Sequence, residues 1–286
     1  MDAREWLGLQ PTHNPMRWFL PVVPGISTAG GFLFGGCGLG AAISALEGTT
    51  GRPVVWATAQ YLSFARPGSI LDVDVTVAVA GRQTTQARAV GHVGGTEILT
   101  VNAALGSRDF LESGQWAVRP DVPPPDECPP RETQPHVGDS ILSRLDQRWA
   151  LPGGTGDGRC AVWSRMPDLL NVSAPALAVL GDYVPLGLGV TLDHDVASNS
   201  LDNTLRVASI VPTEWVLLDI RVDVVSSGFG HGQVHLWAED GTLMATASQS
   251  ALIRLWKGEG RTGQVAMREE CGSSDKTYVH ITNRPA

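Results

Sequence analysis

Along Leu243, Ala245, Ala247, Gln249, Ala251, Ile253 and Leu255, every second residue is apolar except for one amide. A buried amide costs stability unless its donor and acceptor groups find partners. Gln249 therefore reads either as a satisfied core residue or as part of a site. Cys37 follows Gly35 and Gly36 at the start of a helix pattern, where the helix dipole could activate a thiol. It reads equally as a small residue packed at a tight helix start. The run Gly36-Cys-Gly-Leu-Gly-Ala41 can be forced into a dinucleotide fingerprint, but the strand before it is too short and no acidic residue ends a second strand downstream. His231 and His235 are spaced to share a face, yet no third ligand is placed nearby, so the pair reads as an exposed polar face and no metal is expected. GxSxG and HExxH are both absent, which removes support for a serine hydrolase or a zincin.

Composition narrows the classes further. The chain has 286 residues, 17% charged and 43% hydrophobic, so it is not a disordered acidic chain. A net charge of −8 argues against a nucleic-acid partner, whose phosphates need clustered Lys and Arg. Gly and Pro together number 52, pointing to many turns and short strands. The longest apolar stretches, such as Trp18 to Val23, fall short of the ~20 residues that span a bilayer. The first residues carry no basic region followed by an apolar one. Cys37, Cys128, Cys160 and Cys271 are scattered without CxxC spacing, so free thiols and a cytoplasmic location are expected.

The strongest strand pattern is Ile70 to Val79, with Leu71, Val73, Val75, Val77 and Val79 on one side and Asp72, Asp74 and Thr76 on the other. Strands from Thr84 to Val93 and from Thr96 to Leu105 follow as an antiparallel meander, and a small-residue helix from Gly36 to Gly48 precedes them. Residues 119–136 hold seven prolines, which predicts an extended linker. The order then recurs: a helix from about Ala174 to Tyr183, then strands from Trp215 to Val224, Gly232 to Trp237 and Thr242 to Trp256.

An offset of 146 superposes Gly95-Thr96-x-x-x-Thr100 on Gly241-Thr242-x-x-x-Thr246, Gly35 on Gly181, and Ser69 on Trp215. One shift that aligns three elements implies an internal duplication of a helix-plus-sheet unit. The alternative is two unrelated α+β domains. The expected division is 1–115 for the first unit, 116–137 for the linker, 138–257 for the second unit and 258–286 for a polar tail, with one loose strand at Thr277 to Thr282. At offset 146 the counterpart of Gln249 is Ala103, so the polar insertion is specific to the second half.

Further segments sharpen this. Phe34-Gly-Gly36 and Phe64-Ala-Arg-Pro-Gly68 in the first half, and Val162-Trp-Ser-Arg165, Leu180-Gly-Asp-Tyr183, Ser200-Leu-Asp-Asn203 and Ser248-Gln249-Ser250 with Ile253-Arg254 in the second, resemble in order the signatures of acyl-CoA thioesterase II, the TesB-like double hot-dog thioesterases. The resemblance implies an α+β fold of two tandem hot-dog units, each an antiparallel sheet wrapped around a helix. It implies hydrolysis of acyl-CoA by an activated water, with CoA present only as part of the substrate and no other cofactor. It also implies a homodimer or homotetramer and no membrane insertion.

In that family an Asp, a Thr or Ser, and a Gln of the second unit hold the water. The resemblance carries the Asp onto Asp202 and the Gln onto Gln249, while the hydroxyl position falls on Asp223, a departure. Asp223 would either share the site as a second carboxylate or lie with Asp219 and Arg221 on the polar strand face, leaving Ser226 or Ser227 to serve. Backbone N–H groups at the helix start, Gly35, Gly36 and Cys37, would face the oxyanion. With Trp56, Val77 and Ala103 at the shifted positions of the first half, one site per chain is expected. Two alternatives remain: a hot-dog hydratase using His194 or His231, and a non-catalytic acyl-CoA-binding protein of the same fold.

Overall fold

The computed structural model describes residues 1–132, 138–192 and 196–255. The first half holds α1 (Ala3–Leu7), β1 (Gln10–Pro11), β2 (Arg17–Pro21), α2 (Gly35–Thr50), β3 (Val54–Tyr61), β4 (Ile70–Ala80), β5 (Thr84–Val93) and β6 (Thr96–Gly106). The second holds β7 (Asp146–Leu151), β8 (Arg159–Arg165), α3 (Ala174–Leu180), α4 (Val184–Thr191), β9 (Val196–Ser200), β10 (Asp202–Val207), β11 (Val216–Ser226), β12 (Phe229–Ala238) and β13 (Leu243–Leu255). Among the described residues these strands form one antiparallel sheet in the order β1-β2-β4-β5-β6-β3-β10-β13-β12-β11-β8-β7, with β9 paired to β13. The order reads the same from both ends toward the β3–β10 pair. Each half wraps its sheet around its own helices, which is the double hot-dog fold.

The register shows the duplication residue by residue. β3 and β10 pair so that Thr58 stands opposite Thr204, and their hydroxyls, 146 positions apart in sequence, share a hydrogen bond of 2.7 Å. A local two-fold axis therefore passes between them. Bulges recur as well: β6 skips Ile98 against β5, and β13 skips Met244 against β12. β4 skips Ala78 and β11 skips Asp223, so here the correspondence slips by one residue. The β4 bulge corrects the expected alternation: Leu71, Val73 and Val75 are buried, but Val79, beyond the bulge, is 59% exposed.

α2 is buried along nearly its whole length, from Gly36 to Leu46. Its small residues permit backbone contact with α3: a Cβ on Gly40 would lie 2.8 Å from the carbonyl oxygen of Pro175. The predicted single helix from Ala174 to Tyr183 is instead two helices. Pro185, at the start of α4, has no N–H to continue the first ladder, and the chain turns through Gly181, Asp182 and Tyr183. The run Ala174–Thr191 is long and apolar enough to cross a membrane, which the reading of apolar stretches missed, but 72% of it is buried inside the protein. That is the burial of a core helix pair.

The Pro-rich segment does more than connect. It lies over the outer face of the second unit's sheet, where Cys128, Trp163, Trp215, Leu217 and Trp237 form a second apolar cluster with Ala117 and Val122. The Trp163 indole donates to the carbonyl of Pro123 at 2.9 Å, and Arg148 donates to that of Pro125. The tail from 258 onward, with Cys271 and the strand expected at Thr277 to Thr282, lies outside the described residues.

Candidate active site

Asp182 sits in the turn between α3 and α4 with only 5% of its surface exposed. One carboxylate oxygen accepts the N–H of Gly36 at 2.6 Å; the other accepts the side-chain amide of Gln249. The same amide nitrogen donates to the Ser200 hydroxyl at 3.0 Å. The Gln249 oxygen accepts the backbone N–H of Val184 at 3.1 Å. A backbone N–H can only donate, so this bond fixes which end of the amide faces Asp182. Gln249, 3% exposed, is thus both a satisfied core amide and a member of a polar cluster.

Burial pushes the Asp182 carboxyl up to about 7, against the opposing hydrogen bonds from Gly36, Gln249 and Ser200. A carboxyl titrating near neutrality is a general base whose charged form is available at working pH and whose proton affinity is useful. The cluster is built from both halves of the chain: the start of α2 brings Gly36, while the turn between α3 and α4, β9 and β13 bring Asp182, Ser200 and Gln249.

The approach of Asp182 to α2 depends on missing side chains. A Cβ on Gly36 would come within 2.9 Å of the Ala178 carbonyl oxygen, the Asp182 Cβ and the Val179 Cα. A Cβ on Gly35 would fall 2.8 Å from the Asp182 carboxylate and 3.0 Å from the Tyr61 hydroxyl. Gly38 N–H makes the first helical bond, to the Phe34 carbonyl, which leaves the amides of Gly35, Gly36 and Cys37 without a partner in the ladder. Gly36 spends its amide on Asp182. The Cys37 side chain is fully buried and burial drives its thiol far up, so it is a packing residue and not a nucleophile.

The residues expected from sequence divide accordingly. Gly35, Gly36, Cys37 and Gln249 come together. Asp202 stands at the head of β10, and its carboxylate accepts the N–H of Ser250 at 2.8 Å rather than meeting the Gln249 amide. Asp223 is corrected outright. It is the bulged residue of β11, exposed on the outer face and hydrogen-bonded to the Gln233 side chain at 3.3 Å. Ser200 supplies the hydroxyl at Gln249 instead of Ser226 or Ser227, both of which are exposed. Asp219 is not on an open polar face either: it is fully buried between Arg159 and Arg221. His231 is exposed and bonded to the Ser250 hydroxyl, away from the cluster, and His194 lies outside the described residues. Asp182 escaped the sequence reading, although it lies within the Leu180-Gly-Asp-Tyr183 segment and falls on Gly36 at offset 146. Two surface clefts, of 530 and 330 Å³, are lined by neither Asp182 nor Gln249; the first borders Ala176 and Leu180 of α3.

Comparison with known proteins finds relatives of the chain in sequence and in fold. The family described as acyl-CoA thioesterase C-terminal domain matches residues 120–253. The crystal structure of a Novosphingobium aromaticivorans protein assigned as a thioesterase is 37% identical, with a TM-score of 0.79 over 85% of this chain and 97% of that one. The acyl-CoA thioesterase II TesB2 of Mycobacterium marinum is 21% identical, with a TM-score of 0.71 over 89% of this chain and 99% of that one. A hot-dog protein of unknown function from Alicyclobacillus acidocaldarius is 20% identical, with a TM-score of 0.78 over 89% and 98% of the two chains. Among curated proteins none matches.

Proposed function

The chain belongs to the acyl-CoA thioesterases of the double hot-dog fold, and we propose that it hydrolyses acyl-CoA with Asp182 as the general base. The observation that carries this reading is the buried Asp182–Gln249–Ser200 cluster at the start of α2. Asp182 takes a proton from a water placed beside it by the Ser200 hydroxyl, while Gln249 holds both the carboxylate and that hydroxyl in position. The hydroxide adds to the thioester carbonyl, whose developing charge meets the unused amides of Gly35 and Cys37. Collapse of the tetrahedral intermediate breaks the C–S bond, and CoA leaves as the thiol after taking up the proton. The products are a carboxylic acid and free CoA.

Asp182, rather than Asp202, is assigned as base because its carboxylate faces the Gln249 amide. Of the histidines that a hydratase reaction would call on, His231 bonds to the Ser250 hydroxyl and not to the cluster. The reading keeps one site per chain, because Gln249 and Asp182 correspond to Ala103 and Gly36 in the first half. Buried free thiols at Cys37, Cys128 and Cys160 accord with a cytoplasmic enzyme. Thiol release measured over short, medium and long acyl-CoAs tests the assignment. Asp182→Asn and Gln249→Ala are expected to lose at least ~100-fold in kcat, and Asp202→Asn less than tenfold. Full activity in Asp182→Asn would overturn the base assignment.

A further inference from the structure

Tyr61 ends β3 and turns its hydroxyl toward the start of α2. That hydroxyl and the Asp182 carboxylate approach the same point beside Gly35, at 3.0 and 2.8 Å from where a Cβ would stand. Asn203, 1% exposed on β10, lies beside the Tyr61 hydroxyl. The Asn203 side chain is close enough to the Tyr61 phenol to favour its ionised form, yet the two form no hydrogen bond of normal geometry, and neither the Tyr61 hydroxyl nor either polar atom of Asn203 has another partner. Buried polar atoms are nearly always paired, and a group left unpaired at a site is one that a ligand can satisfy. At offset 146 the corresponding residues are Val207 for Tyr61 and Ala57 for Asn203, so these polar groups occur only where Asp182 and Gln249 also stand.

We propose that the Tyr61 hydroxyl and the Asn203 carboxamide donate hydrogen bonds to the thioester carbonyl oxygen, as side-chain partners of the α2 amides. This rests on the thioesterase reading above and extends it to how the substrate carbonyl is held. Burial, then the charges of Asp182 and Asp202, keep the Tyr61 phenol protonated far above neutrality, so it stays a donor throughout the working range. The Asp182 carboxylate and the Tyr61 hydroxyl converge on one point beside Gly35, so a carbonyl whose oxygen is held by Tyr61 brings its carbon within reach of a water at Asp182.

Two non-hydrolysable acyl-CoA analogues separate this role from packing. One keeps the carbonyl and replaces the thioester sulfur with methylene; the other keeps the sulfur and replaces the carbonyl with methylene. Calorimetric titration of the full chain is expected to show a preference for the ketone that falls about tenfold in Tyr61→Phe and in Asn203→Leu. Thioether affinity is expected to stay within about twofold, which also reports an intact fold. Turnover of Tyr61→Phe is expected to drop about 100-fold in kcat, as for removal of one oxyanion donor, with KM nearly unchanged. An unchanged ketone preference and kcat in Tyr61→Phe, alongside an inactive Asp182→Asn, would overturn the donor role and leave the thioesterase reading standing. A wild-type chain that binds the ketone preferentially but never releases thiol would overturn the hydrolysis and support the carbonyl site.

Discussion

The hydroxyls of Thr58 and Thr204 meet at 2.7 Å where β3 crosses to β10, and this hydrogen bond marks the axis that relates the two halves. Both side chains are largely shielded, so each hydroxyl needs the other. Thr58→Val is expected to cost about 1 kcal/mol because it strands the Thr204 hydroxyl. The double Thr58→Val, Thr204→Val variant is expected to cost less than the two singles together. Urea denaturation of the four proteins measures the coupling, and strict additivity would show that the hydroxyls do not interact.

Asp182 ties activity and stability to pH with opposite signs. Its native pKa, about 7, lies above the unfolded value near 3.8. The folded state therefore holds this proton more tightly, and its stabilising effect is full below the unfolded value and lost as pH rises through 7. Thermal melts from pH 4 to 8 are expected to show wild type falling relative to Asp182→Asn. Over the same range kcat/KM is expected to rise with an apparent pKa near 7, because the base must be ionised. A flat rate profile between pH 5 and 8 would contradict the role of Asp182.

Gly36 is required by space. In Gly36→Ala the new methyl meets three atoms at 2.9 Å, two of them backbone, so α2 must move off α3 and away from Asp182. The expected cost is about 1–3 kcal/mol, as for other overpacked cores, together with loss of thiol release. Gly189→Ala, in α4 with open space around the added Cβ, is the control: it is expected to gain up to about 1 kcal/mol from helix propensity. Chemical denaturation distinguishes the two.

Asp219 is a fully buried carboxylate held by Arg159 at 3.0 Å and Arg221 at 2.8 Å. Removing both arginines is expected to cost about 3–5 kcal/mol by leaving a buried charge uncompensated. Either single change is expected to cost clearly less, since one guanidinium remains. Equal stabilities for the double and single variants would show that the second arginine is irrelevant.

The local rules of the chain were enough to define much of the molecule. Period-2 alternation in β4, β5, β6 and β11 to β13, the small-residue run of α2, and the 146-residue offset are all written in neighbouring side chains, because strand and helix faces are properties of nearby positions. Gln249 was visible for the same reason, as a polar residue in an apolar row. β3, β8 and β10 were not read as strands, because the pairings that make them strands are wholly non-local.

What the sequence could not decide was which polar residues meet. The bulge at Asp223 turns that side chain outward, and only pairing with β12 creates a bulge. Asp182 falls inside the single helix expected from Ala174 to Tyr183, and only the packing of the halves sets it against Gly36 and Gln249. Tyr61 and Asn203 lie in different halves and are neighbours only because the duplicated units join along β3 and β10. The residue types and their repeat follow from the chain itself. The carboxyl that titrates near 7 follows from packing alone, because burial and convergent donors belong to the assembled tertiary structure.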